Sequence, residues 1–217
     1  MDALTEEFIS SRLAESYGAS GEDSCYKYFL SSNPRPAAVL IPLFFASPED
    51  KQEHRWQVLL TRRTEGVAEH QGQVAFPGGR ADPTDLTPES TALREAYEEI
   101  GLEPTSVRIL GKMKELPTIS NYCITPVVGV IPWPFEIRLE ETEVSRVFSI
   151  PLDWLFDPTH HETRYRTIPE PFSKLLKMKS HPVIYFQTYQ EELLWGVSAQ
   201  ITVDFIEILR NKKRAGA

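Results

Sequence analysis

Cysteine is scarce: the 217 residues include two, Cys25 and Cys123. They lie far apart and in no C-x-x-C pattern, so neither a disulfide framework nor a structural zinc site is expected, and a reducing, cytoplasmic setting fits. Basic charge is also short. Lys and Arg number 23 against 31 Asp and Glu, for a formal charge of -8 and a pI near 5.2. A general nucleic-acid or membrane-surface binder would want a basic face to meet phosphates, so neither partner is expected. No apolar run approaches the roughly eighteen residues of a membrane span, and the opening MDALTEEFIS is acidic where a secretory signal is basic and then apolar. Internal repeats and low-complexity tracts are absent as well.

What is present suffices for one good core, with 41% hydrophobic residues. Leu4, Phe8, Ile9 and Leu13 recur at helical spacing and predict a short amphipathic helix that packs on the domain. SSNPRP at 31 to 36 reads as a linker. The chain is thus expected to divide into a helical extension, 1–32, and a main domain, 33–217. Strands are predicted at 36–45 and 56–63, joined by the polar connection SPEDKQEH, and again at 106–114, 124–131, 144–150 and 182–189. A closing helix is predicted over 197–210, with Ile201, Phe205, Ile208 and Leu209 on one side. Strands on either side of a central helix, with a second helix at the end, predict a mixed α/β fold with helices packed on a sheet.

The central helix is the informative one. Thr87 suits an N-cap, Pro88 the first helical position and Gly101 a left-handed stop, so the helix runs from about 88 to 100. Ala92, Leu93, Ala96, Tyr97 and Ile100 make its core side. Glu95, Glu98 and Glu99 crowd another face near the C-terminus, where each like-charge pair costs roughly 0.2–0.5 kcal/mol and the dipole opposes each charge by about 0.3–1 kcal/mol. Arg94 can pair with Glu98, and a solvated charged face is the plain alternative. A hard divalent cation with oxygen ligands, Mg²⁺ or Mn²⁺, would turn the repulsion into a chelating site. Just upstream, Pro77, Gly78 and Gly79 predict a tight turn where backbone can approach a ligand or the helix.

GGRADPTDLTPESTALREAYEEIGL, residues 78 to 102, resembles the Nudix box, G-x5-E-x7-R-E-U-x-E-E-x-G-U with U aliphatic. Gly79, Arg94, Glu95, Glu98, Glu99, Gly101 and Leu102 match it, and Ala96 is a small residue at the first U. The first glutamate departs: Asp85 either replaces it across a one-residue insertion or leaves the role unfilled. Upstream, LLTRRTEGVAEHQGQVAFPGG (59 to 79) is similar to the signature of the coenzyme A pyrophosphatase subgroup of Nudix hydrolases. Leu59, Leu60, Thr61, Arg63, His70, Gly72, Val74 and Phe76 to Gly79 agree, while Ala68 stands where that signature has arginine.

The resemblance implies a Nudix-type α/β/α sandwich that hydrolyses a nucleoside diphosphate derivative with Mg²⁺ or Mn²⁺. Its particular substrate would be coenzyme A, giving 3′,5′-ADP and 4′-phosphopantetheine. Glu95 and Glu99 are the first metal ligands it implies, with Glu98 a further ligand or the base, and Arg94 holds a glutamate in place. Glu143, from the acidic run Glu140, Glu141, Glu143, is a candidate catalytic carboxylate from outside the box. Substrate contacts are expected from Arg63, His70, Gln73, Gly78 and Gly79, with the other arginine of the pair, Arg62, pointing to solvent. Asn121 and Tyr122 either close over substrate or serve as turn residues. The locally basic stretch 160–181 offers charge to a substrate with several phosphates, and its adjacent His160 and His161 lack metal spacing. ADP-ribose, a dinucleotide or another nucleoside diphosphate derivative is the rival substrate, which Ala68 keeps open; a non-catalytic nucleotide-binding module is the rival class.

Overall fold

A computed structural model describes residues 4–18, 34–46, 55–65, 72–168, 170, 173 and 178–210. Its centre is an eight-stranded mixed sheet. Strand β1 (Arg35–Ala46) is the axis of that sheet. One edge pairs in parallel with β7 (Tyr122–Val130) over the nine partners from Arg35↔Tyr122 to Leu43↔Val130. The other edge is shared: its C-terminal half pairs antiparallel with β2 (Arg55–Arg63), and its N-terminal half with the three-residue β4 (Gly78–Arg80). β2 in turn carries β3 (Val74–Ala75) and β8 (Val144–Pro151), and β7 carries β5 (Arg108–Lys112) and β6 (Leu116–Pro117).

Alternation along the central strands explains the layers. Leu40, Leu59 and Val127 face one side and Ile41, Leu60 and Val128 the other, and all six are fully buried. On the first face lies α2 (Pro88–Ile100), which inserts Ala92, Ala96 and Ile100. On the second lie α1 (Glu6–Gly18), α3 (Leu152–Phe156) and α4 (Gly196–Arg210). The result is an α/β/α sandwich. Ile9 and Leu13 of α1 are wholly buried in the same cluster as Ile41 and Phe205, so the N-terminal helix shares the domain core. Ser10 Oγ donates to the Leu110 carbonyl at 2.8 Å and Arg12 Nε to that of Ile208 at 3.1 Å, fixing α1 to β5 and α4.

The long strands and helices fall within a few residues of their predicted bounds. Three differences carry a physical reason. Gly78 and Gly79 form a strand and not a tight turn, because β1 offers a vacant edge to which Gly78, Gly79 and Arg80 pair. A polar strand, β9 (His161–Thr167), pairs with β10 (Ser180–Phe186), although its exposed residues show no apolar alternation. Cys123 is disulfide-bonded, where no disulfide was expected, which removes the thiol-based argument for a reducing compartment. No helix among the described residues is long and apolar enough to cross a membrane.

Candidate active site

The site is organised by α2 and the strand before it. Thr87 caps α2 in an extended conformation and exchanges side-chain bonds with Ser90, while Gly101 closes the helix at φ 73 and donates back to the Tyr97 carbonyl at 2.9 Å. Both ends being pinned, the rotation of the helix is set, and with it the direction of each glutamate. Expectation and observation part at two positions: Tyr97 is 43% exposed, and Glu99 is buried. β4 lies beside α2 and gives the helix a polar backbone neighbour, so a carboxylate can turn inward there while the phenol ring turns out.

Glu99 accepts from the Gly78 N–H at 3.4 Å and stands 3.9 Å from the Arg63 guanidinium. These contacts are long for a carboxylate only 5% exposed. Burial first, and the Glu95 carboxylate next, push Glu99 up to about 8, against the pull of Arg63 and the Gly78 N–H. Burial also raises Glu95, opposed by its bond to Arg94. Glu95 lies against Gly79 so closely that a β-carbon there would come within 2.4 Å of Glu95 Oε2. A β-carbon on Gly78 would meet the Ala38 carbonyl at 2.5 Å. Glycine is therefore required at Gly78, whose neighbour is backbone and whose φ is 156, while a side chain at Gly79 would displace the Glu95 carboxylate.

Arg94 joins the pieces. Its guanidinium donates to Asp85 at 3.0 Å, to the Arg80 carbonyl at 2.9 Å and to Glu98 at 3.0 Å, and it pairs with Glu95 at 2.9 Å. Hydrogen bonds from Arg94 hold Asp85 below the usual carboxylate range, and Asp85 in turn keeps Arg94 firmly cationic. Asp85 thus occupies a place beside Arg94. Glu98 sits at the outer end of the same guanidinium, with its side chain 55% exposed.

Glu143 reaches the site from the other direction. Arg63 pairs with Val144 in the β2–β8 ladder, Glu143 precedes it, and its carbonyl accepts from the Thr64 N–H at 2.9 Å. Arg63 then stands 3.9 Å from both Glu99 and Glu143, and its buried Nε has no hydrogen-bond partner among the described residues. A cleft of about 700 Å³ opens over this group, lined by Arg63, Gly78, Gly79, Arg94, Glu95 and Glu143 and bounded by Arg35 and Arg80. Glu99 lies beneath it.

Of the residues expected to act, Arg63, Gly78, Gly79, Arg94, Glu95, Glu99 and Glu143 are brought together, and Glu98 stands at the margin. His70 lies outside the described residues. Gln73 is next to the site by its backbone, whose carbonyl accepts from the Arg63 N–H at 3.0 Å, but it does not line the cleft. Arg62 leaves the cleft as strand alternation requires, yet joins Arg146 on the buried carboxylate of Glu192, at 3.4 and 3.2 Å, where solvent was expected. Asn121 is a left-handed turn residue at φ 64, and Tyr122 supports Arg35 on the rim. In the stretch 160–181, Arg164 and Arg166 lie over the Tyr185 ring at 4.7 and 5.3 Å, and His160 bonds the Trp154 carbonyl at 2.9 Å. None of the described residues there lines the cleft. Arg35 and Arg80 were missed, one hidden in a proline-bracketed segment and the other beside the glycines.

The donor set fits a hard divalent cation. It offers only oxygen, and Glu99 is a buried carboxylate with too little positive charge around it. Among the described residues no group of three or more His, Cys, Asp or Glu stands ready to hold a metal. Mg²⁺ is commonly held by one or two carboxylates with water and substrate phosphates completing its shell, and Glu95 and Glu99 supply that number.

A buried carboxylate beside a glycine strand, a helix of glutamates and an arginine that binds them together define the class. Residues 34–171 match the NUDIX domain, and the chain belongs to the Nudix hydrolase family, whose members act on pyrophosphate bonds. It is 39% identical over 167 residues to a protein of Pectobacterium atrosepticum described as an uncharacterized Nudix hydrolase, NudL, covering 77% of this chain and 79% of that one. NudL of Yersinia pestis is 36% identical over 180 residues, covering 81% and 80%. Among solved structures, a MutT/nudix family protein from Enterococcus faecalis aligns at a TM-score of 0.49 and 16% identity, over 94% of this chain and 73% of that one. The chain is a Nudix hydrolase of a nucleoside diphosphate derivative, in a family that generally uses divalent metal ions.

Proposed function

We propose that this chain hydrolyses the pyrophosphate of coenzyme A or its derivatives, releasing 3′,5′-ADP and 4′-phosphopantetheine. The observation that carries this reading is Arg63, a position of the coenzyme A subgroup signature, standing in the cleft between Glu99 and Glu143. Its terminal N–H groups make only long contacts, 3.9 Å, to the two carboxylates, and are able to donate to an anhydride phosphate.

Glu95 and Glu99 would hold Mg²⁺ or Mn²⁺, with Glu98 the candidate for a further oxygen. The ion, when bound, neutralises the anhydride and lowers the pKa of water it holds. Arg94 is a positioning residue: it fixes Glu95 and Glu98 and is itself fixed by Asp85. Glu143, the exposed carboxylate of the group, takes the proton of the attacking water. The water oxygen bonds to one phosphorus, the bridging P–O bond breaks, and the bridging oxygen leaves on the other phosphate. Gly78 and Gly79 let the phosphates approach the backbone.

The test is a product assay with Mg²⁺ or Mn²⁺, offering coenzyme A and ADP-ribose in parallel. Release of 3′,5′-ADP that disappears in Glu99→Gln is the expected result. Ala68, where the signature has arginine, keeps open the second reading, an ADP-ribose or dinucleotide hydrolase; cleavage of ADP-ribose alone would establish that one. Cleavage of neither would shift the weight to a nucleotide-binding module.

A further inference from the structure

The rim of the cleft carries positive charge that the chemistry above leaves unused. Arg35 opens β1, and its guanidinium lies over the Tyr122 ring, 4.1 Å from the centroid, while donating to the Ser120 carbonyl at 3.0 Å. A ring face and a carbonyl orient a guanidinium without neutralising it. Arg80 ends β4. Its carbonyl is used by Arg94, but its guanidinium has no carboxylate partner among the described residues. Several other arginines of the fold are paired with carboxylates: Arg55 with Asp153 at 2.8 Å, Arg146 with Glu192 at 3.2 Å, and Arg94 with three.

Register brings the two residues to the same face of the sheet. Ala37 pairs with Arg80 in the antiparallel β1–β4 ladder, and Arg35 is two residues before Ala37, so Arg35 and Arg80 are diagonal neighbours on the same face. Like charges at that spacing repel, and both line the cleft. The repulsion is removed by an anion shared between them. Arg35 is held for that purpose from both sides, which reduces the ordering cost of binding.

We infer that Arg35 and Arg80 form an anion subsite for a phosphate monoester that the substrate carries outside its scissile anhydride. The substrate class is a nucleoside diphosphate derivative with an additional phosphate on its ribose. The inference rests on the proposed hydrolase reading for where the anhydride lies, and it selects among substrates that share that anhydride. Guanidinium groups suit it, because planar forks bind phosphate oxygens in pairs.

Calorimetric titration tests the subsite without turnover. With Mg²⁺ at low ionic strength, the wild type should bind 3′,5′-ADP about tenfold or more tightly than 5′-AMP, since the two differ by one phosphate monoester. Arg35→Gln and Arg80→Gln should each narrow the ratio, and the double variant should bring it near one. Both side chains are exposed, so the melting temperature should hold; if the double variant fails to fold, the single variants decide. Equal affinities in the wild type, a ratio surviving in the variants, or no saturable binding of 3′,5′-ADP would each overturn the subsite. Failure of the wild type to cleave coenzyme A is read separately, and counts against the hydrolase reading alone.

Discussion

At the scale of single residues, Glu99 bears the most weight. Its carboxylate is buried beneath the cleft with one long N–H bond, and burial makes its charged form costly in the metal-free protein. Glu99→Gln is expected to keep the fold, with a metal-free melting temperature no lower than wild type, and to lose about 100-fold or more in kcat. Near-normal turnover would remove Glu99 from the ligand set. Asp85 behaves oppositely. Arg94 holds its pKa below the ordinary 3.8, so the folded state binds fewer protons than the unfolded one, and the stabilisation is complete above that value and lost as pH falls through the folded pKa. Asp85→Asn should therefore melt lower than wild type at pH 7, with the gap closing below about pH 4. A gap that persists in acid would show that the Arg94 contact is not its source. Arg63→Ala should raise KM more than it changes metal affinity, and an unchanged KM would count against the phosphate contact.

Elements show what could be read in advance and what could not. The helix 88–100 was legible to the residue because Thr87, Pro88 and Gly101 are local signals, each acting through the backbone beside it. The inward turn of Glu99 was not, since helical spacing says which residues share a face but not what lies against it. β4 and β9 escaped for a related reason: two glycines carry no period, and His161–Thr167 is polar along its length, so both are strands only by virtue of the edge they pair with. The carboxylates, Arg63 and the two glycines were visible in the motif, whereas Arg35 and Arg80 meet only through the register of β1 and β4. An element-level test concerns α1. Leu13 is fully buried among β-strand and α4 residues, so Leu13→Ala should destabilise the whole domain by ~2–5 kcal/mol in denaturant unfolding. A change near zero would make α1 a separable attachment.

For the molecule as a whole, the sheet divides its faces between tasks. α1, α3 and α4 cover one face with aliphatic packing, while α2 covers the other and brings charge to its edge. Cation binding to the folded state alone should stabilise the chain by about 2.7 kcal/mol at a concentration near 100 Kd, raising Tm by roughly 5–10 °C for a chain of this size. The shift should vanish in Glu99→Gln; a shift of equal size there would place the ion elsewhere. The segment from Gly78 to Glu99 is continuous and holds the glycine strand, Asp85, Arg94 and the glutamates, whereas Arg35, Arg63 and Glu143 come from three distant parts of the chain. One continuous stretch of chain therefore holds the proposed ion-binding carboxylates together with Arg80 of the rim, while the sheet brings Arg35, Arg63 and Glu143 to it. A substitution at Arg35 can therefore alter one side of the rim without touching the stretch that carries the carboxylates.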